Sequence, residues 1–170
     1  MSEYYILKGD ERLANAIEIK GAKNVASIDY VKTNSLQFLN SKPVMLHIED
    51  NGLWPDFIEK PLPLISNNLW TVFEQLKLKN IFFKPVCFAD IKKMTSFIYW
   101  LIIPDKIDCL SSDTEFNRDG SLKTLKINKE KVGLYKIFKV NGILEDLIIV
   151  DEDIADAIDS NMYGCCFTKI

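Results

Sequence analysis

The chain has 170 residues, 48% apolar and 26% charged, with a net charge of −3 at pH 7. These proportions describe a globular chain with one well-filled core and exclude a disordered one, which has fewer apolar residues and a stronger charge imbalance. The acidic balance also speaks against nucleic acid as a partner, since such binders use clustered positive charge to displace counterions.

The opening Met1–Leu7 has no basic region, long apolar stretch or small-residue cleavage site, which predicts no secretory signal. The longest apolar run, Phe97–Ile103, stops at Pro104. A membrane helix needs about 20 such residues, so no membrane contact is expected. Cys87, Cys109, Cys165 and Cys166 are too few and too unevenly spaced for an extracellular disulfide framework. They read as free thiols of a reducing cytoplasm.

Tyr4 to Lys8, Ala16 to Lys20 and Pro43 to Glu49 are short strand-like pieces, with helix a live alternative around Ala14 to Ala16. The turn-like Asn51–Asp56 is the nearest thing to a boundary, giving an unassigned strand-rich part over 1–50 and an α+β domain over 51–170. No internal repeat is visible. After Pro61-Leu62-Pro63, a helix capped by Ser66 or Asn67 places Leu69, Val72, Phe73 and Leu76 on one stripe, with Lys77 and Lys79 near its negative end.

Strands follow over Ile81 to Phe88, where Pro85 suits an edge or bulge, and over Phe97 to Ile103, read as buried on both faces. A helix from Asp90 to Leu101 is the alternative there. Asn117–Ser121 is a turn, Thr124 to Ile127 alternates like a half-exposed strand, and Leu134 to Val140 is a strand closed by Asn141-Gly142. Leu147 to Val150 is a short buried strand. Asp151 then caps a helix with Ile154, Ala157 and Ile158 on its apolar face and Asp153, Asp156 and Asp159 towards solvent. Cys165 to Thr168 is a terminal strand. Irregular alternation predicts an α+β fold: a mainly antiparallel sheet with a few helices, one compact domain with room for a small N-terminal lobe.

Chemistry is sparse. The only histidine, His47, lies in a strand-like segment, and nothing around Cys87, Cys109 or Cys166 resembles an activated nucleophile. Zinc wants paired ligands, which are missing, and no glycine-rich phosphate loop or nucleophile elbow is present. Asp151-Glu152-Asp153 lacks the spacing and glycine of a calcium loop, and first-turn acids are explained by capping and the helix dipole. No catalytic residue, metal or cofactor is therefore expected. Between Asn141 and Ile170 one lysine faces seven carboxylates, a net −6, leaving +3 on the rest. Asp153, Asp156 and Asp159 read either as a solvated face or as a docking surface for a basic partner. Trp54, beside Pro55 after a glycine turn, reads either as core or as an exposed interface anchor.

From Trp54 onward the order of segments resembles a large bacterial family of immunity proteins from polymorphic toxin systems. The resemblance lies in Pro55-Asp56-Phe57-Ile58, Pro63-Leu64-Ile65-Ser66, Phe82-Phe83-Lys84-Pro85-Val86, Tyr99-Trp100-Leu101, Ile107-Asp108-Cys109-Leu110 and Ile137-Phe138-Lys139. It continues through Ile148 to Ile158 and Gly164-Cys165-Cys166-Phe167, and the opening Tyr4-Tyr5-Ile6-Leu7 fits too. Asp151 stands where such proteins often have serine, and Gly9 to Asp50 matches nothing. The resemblance implies a cytoplasmic, non-enzymatic antidote that binds and blocks a cognate protein toxin. Trp54, Asp153, Asp156 and Asp159 are the candidate contacts, and the oligomeric state stays open. The competing readings are a small hydrolase or transferase using His47 with a cysteine or carboxylate, and a general interaction or regulatory module.

Overall fold

Strand β1 (Tyr4–Gly9), opened by the run Tyr4-Tyr5-Ile6-Leu7, is the first element of a computed structural model that describes residues 3–13, 44–47, 52–159 and 162–170. The expected strand at Ala16 to Lys20 lies outside these residues. There follow β2 (Val44–His47), β3 (Phe57–Ile58), β4 (Leu64–Ser66), α1 (Asn67–Gln75), β5 (Ile81–Asp90), β6 (Thr95–Pro104) and β7 (Lys106–Ile107). Then come β8 (Glu115–Phe116), β9 (Leu122–Thr124), α2 (Lys129–Val132), β10 (Ile137–Val140), β11 (Ile148–Asp151), α3 (Glu152–Asp159) and β12 (Cys165–Lys169). The fold is α+β, as the segment pattern predicts. One sheet has the order β2-β5-β6-β4-β3, a second β12-β1-β11-β10-β7, and β8 pairs with β9 in a small ribbon. Strands from before the Asn51–Asp56 turn lie in both large sheets.

The two sheets repeat one plan. In the first, β4 leads through α1 to β5, and β6 lies between β4 and β5, antiparallel to both. In the second, β11 leads through α3 to β12, and β1 lies between them in the same way. The registers coincide residue by residue. Ser66 faces Tyr99 and Ile65 faces Trp100, while Asp151 faces Tyr4 and Val150 faces Tyr5. Phe57 pairs with Ile65 as Ile137 pairs with Val150. Even the exits match: Asp105 N–H donates to Asn80 at 2.9 Å, and Asp10 N–H donates to Gly164 at 3.0 Å.

Helices α1 and α3 are each capped by the last residue of the preceding strand. Ser66 Oγ accepts from Leu69 N–H at 3.2 Å, and Asp151 Oδ1 accepts from Ile154 N–H at 3.0 Å. Such a side chain satisfies one of the helix's otherwise unpaired donors. Leu69 and Phe73 on α1 and Ile154, Ala155 and Ile158 on α3 are buried together between the sheets, with Ile65, Phe57, Ile102, Ile137 and Val150. Ala155, rather than Ala157, completes the α3 stripe; Ala157 is half-buried. A second cluster, Leu46, Ile58, Leu64, Val86, Phe88, Tyr99 and Leu101, covers the outer face of the first sheet. The third, around Phe138, Ile149, Cys109 and Val132, covers the outer face of the second.

Several expected boundaries move. Helix α1 ends at Gln75, so Lys77 and Lys79 lie past it, and Lys77 has φ +51°. Strand β10 begins at Ile137, because α2, capped by Asn128 and ended at Gly133, leaves Leu134 fully exposed. Asn141-Gly142 opens a connection to Ile148 rather than closing a two-residue hairpin. Pro85 sits on β5 just before the stretch that β2 covers, Val86 to Ala89, so its missing N–H costs no bond to β2. Only the second half of β6 is buried on both faces; Ile98 is 56% exposed.

Candidate interaction surfaces

The β5–β6 hairpin outruns the plan shared by the two halves. Strand β12 ends at the position equivalent to Pro85 of β5, and β1 begins at that equivalent to Tyr99 of β6, whereas the hairpin continues to a turn at Ile91–Met94. Its two faces differ. On one, Val86, Phe88 and Tyr99 are buried, and Trp54 packs against Phe97, Phe88 and Tyr99 with ring centroids 4.8, 5.3 and 5.4 Å away. Tyr99 Oη donates to Pro55 O at 2.7 Å, and burial pushes its phenol well above the ordinary range. Trp54 is therefore a half-buried prop beneath the hairpin rather than an exposed anchor.

On the other face, directly paired residues share a side of the sheet. Met45, Cys87 and Ile98 form one such row, with Met45 57% and Ile98 56% exposed. At the tip Ile91 is 67% and Met94 88% exposed. Helix α1 covers this side of the sheet only as far as Trp100, on which Trp70 stacks at 4.7 Å with the planes 12° apart. Trp70 and Trp100 form a half-buried edge to the bare stretch, and Trp100 Nε1 donates to Asn67 Oδ1 at 3.2 Å. The result is an apolar group of Trp100, Cys87, Ile98 and Met45, separated by the Ser96/Ala89 pair from a tip at which Ile91 and Met94 flank Lys92 and Lys93. Nothing in residue order singles out Met45, Ile91, Met94 and Ile98; they meet only through strand register.

The acidic helix lies on the other sheet. Asp153 is exposed and pairs with Lys136, whose ammonium is held above its ordinary pKa by that bond. Lys136 also stands 4.0 Å from Asp151. Asp156 is exposed and has no ion pair among the described residues. The side chain of Asp159 lies outside the described residues, as does that of His47, whose backbone pairs with Ala89. Trp54 and the α3 acids thus belong to separate surfaces.

Beside Asp156 opens a cavity of about 370 Å³ lined by Tyr5, Arg12, Ala155, Cys165, Cys166 and Phe167. Burial pushes the Cys165 thiol up to about 12, so it stays protonated and neutral. Arg12 grips Asp10 through two nitrogens at 2.8 and 2.9 Å, and that bond holds the Asp10 carboxyl down at about 2. A second cavity, about 220 Å³, lies between the end of β1 and β3, where Glu59 accepts from Gly9 N–H at 3.1 Å. Among the described residues no group of histidine, cysteine and carboxylate side chains is arranged to hold a metal ion. No helix there is long and apolar enough to cross a membrane.

The chain matches no protein-family model and no curated protein.

Proposed function

We propose that this chain is an immunity protein that binds and neutralises a cognate bacterial toxin without catalysis, and that the bare face of the β5–β6 hairpin makes the contact. The observation that carries this reading is the set of exposed apolar residues Met45, Ile98, Ile91 and Met94 beside half-buried Cys87, on a ribbon whose reverse side is propped by Trp54. Folded chains rarely leave apolar side chains grouped in this way to water unless another surface covers them. Methionine suits it, because its flexible, polarisable side chain adapts to a partner's contours. The ordered segments that resemble the immunity family suggest the class of partner, and the extra length of the hairpin supplies an element to present the contact.

The reading is tested by co-expressing the chain with the product of the toxin gene adjacent to it. Ile98→Lys and Met94→Glu are expected to abolish both rescue of growth and co-elution on gel filtration. Their melting temperatures should stay within about 2 °C of the parent, since exposed substitutions change stability little. Full protection by both variants would remove the hairpin face from the account. Failure of the parent chain itself to protect or to form a complex would sink the immunity reading.

A further inference from the structure

Strand β12 contributes Cys165, Cys166 and Phe167 to the wall of the cavity beside Asp156, and its edge away from β1 pairs with no described strand. We propose that this edge and the cavity form a second binding site, independent of the hairpin face, which takes an extended peptide segment as an added strand and selects a lysine or arginine within it. Among the described strands β12 pairs only with β1, and no described strand pairs with its other edge. Which groups face outward follows from parity. Ile170 N–H donates to Tyr4 O at 3.1 Å and Gly164 O accepts from Asp10 N–H at 3.0 Å, so even-numbered residues bond towards β1. In an antiparallel pair such residues alternate with ones that turn their N–H and C=O away. Cys165, Phe167 and Lys169 therefore present their backbone groups to the open edge.

Proteins usually blunt such an edge with proline, a bulge or inward-pointing charge. Strand β12 has no proline and no register shift, and its one charged residue, Lys169 at the strand's end, is tied back to Glu3. The molecule already extends the corresponding strand of its other half in this manner. There β2 adds in parallel to the outer edge of β5, a few residues beyond the matched stretch.

The cavity supplies selectivity. Consecutive residues Cys165, Cys166 and Phe167 all line it, although their side chains alternate between faces, so it opens along the strand's edge. A residue paired opposite Phe167 would direct its side chain to the α3 side of the sheet, where Ala155 and Asp156 wait. Tyr5 and Phe167, in edge-to-face contact at 6.4 Å, provide an apolar wall for an aliphatic stem. The charges sum to one negative. Arg12 is neutralised by Asp10, Cys165 is a neutral thiol, and Asp156 remains to meet a cation. Strand addition of this kind draws affinity from the main chain and specificity from alternate side-chain pockets.

The test uses the isolated full-length chain and acetylated, amidated pentapeptides Thr-Val-Lys-Val-Thr and the same peptide with glutamate or norleucine at the centre. Amide exchange by NMR is the readout. In the free protein the amides of Cys165, Phe167 and Lys169 should exchange fast, while those of Cys166 and Thr168 are protected. The lysine peptide should slow Phe167 and Lys169, and the glutamate peptide should bind about tenfold or more weakly, as expected for a lost charge-assisted contact. Asp156→Asn should erase the preference for lysine over norleucine and leave the melting temperature unchanged. Fast-exchange positions already protected in the free protein, or equal binding of all three peptides, would overturn the proposal. Toxin is absent from this experiment, so its failure leaves the hairpin reading standing.

Discussion

Asp151 and Ser66 occupy equivalent places, each closing a strand and capping the helix that follows. Replacing Asp151 with alanine should cost about 1 kcal/mol, read from the urea midpoint, whereas Asp151→Ser should retain most of that. The two caps differ in titration. Burial raises the Asp151 pKa, opposed by the bond from Ile154 N–H and by Lys136. A raised folded-state value means that its contribution is fully present below the unfolded aspartate pKa of about 3.9 and is lost as pH rises through the folded value. Asp10 runs the other way. Its folded pKa of about 2 makes its contribution present above the unfolded value and lost as pH falls. Stability of Asp151→Ser relative to the parent should therefore improve from pH 3 to pH 6, and a flat difference would contradict the burial. Glycines offer a second contrast. Gly164 has φ +82° and an added Cβ would lie 2.5 Å from Pro55 Cβ, while Gly133, at φ +62°, has nothing within 4 Å. Alanine at 133 should cost about 1 kcal/mol, and alanine at 164 clearly more, as chemical denaturation will show.

At the scale of elements, the hairpin depends on the prop beneath it. Trp54→Ala removes contacts to Phe88, Phe97 and Tyr99 and should cost about 2 kcal/mol, less than for a fully buried tryptophan. Hydrogen exchange should speed up in β5 and β6 beyond Pro85 and leave β12 unaffected; uniform loosening would mean that the hairpin is not a separable unit. Element types were largely legible in the sequence. The stripe Leu69, Val72, Phe73, Leu76 marks α1, Asp151 marks the start of α3, and Tyr4 to Lys8 marks β1. Exposure was not, because it depends on register. Ile98 belongs to an apolar run that reads as buried, and becomes a surface residue only when Cys87 and Met45 line up beside it without a covering helix. Tryptophan beside a glycine turn carries no signal for which way the ring falls, so the choice for Trp54 needed the fold.

At the scale of the whole molecule, the repeated plan escaped the sequence because its likeness is chemical rather than literal. Leu-Ile-Ser before one helix answers to Ile-Val-Asp before the other, and Asn80 lies fourteen residues after its cap whereas Gly164 lies thirteen after its own. The second unit is also split across the chain, with β12 at one end and β1 at the other. That arrangement makes a prediction. A permuted chain that joins the termini through a short turn, mimicking the β5–β6 connection, and opens at Lys92-Lys93 should fold with the parental circular dichroism spectrum. Helices α1 and α3 share one buried cluster with both sheets, so thermal unfolding of the parent should be a single transition by calorimetry and by fluorescence alike.

The central claim is that the bare hairpin face holds a protein toxin. Alkylation of Cys87, which lies on that face between Met45 and Ile98, measures it most directly. Binding of the adjacent gene's toxin should slow the reaction of Cys87 with iodoacetamide about tenfold or more, read by mass spectrometry. Cys109 is fully buried and, like Cys165, has its thiol pKa pushed up by burial, so both should stay slow throughout and serve as internal controls. A complex in which Cys87 reacts as fast as in the free chain would contradict the account.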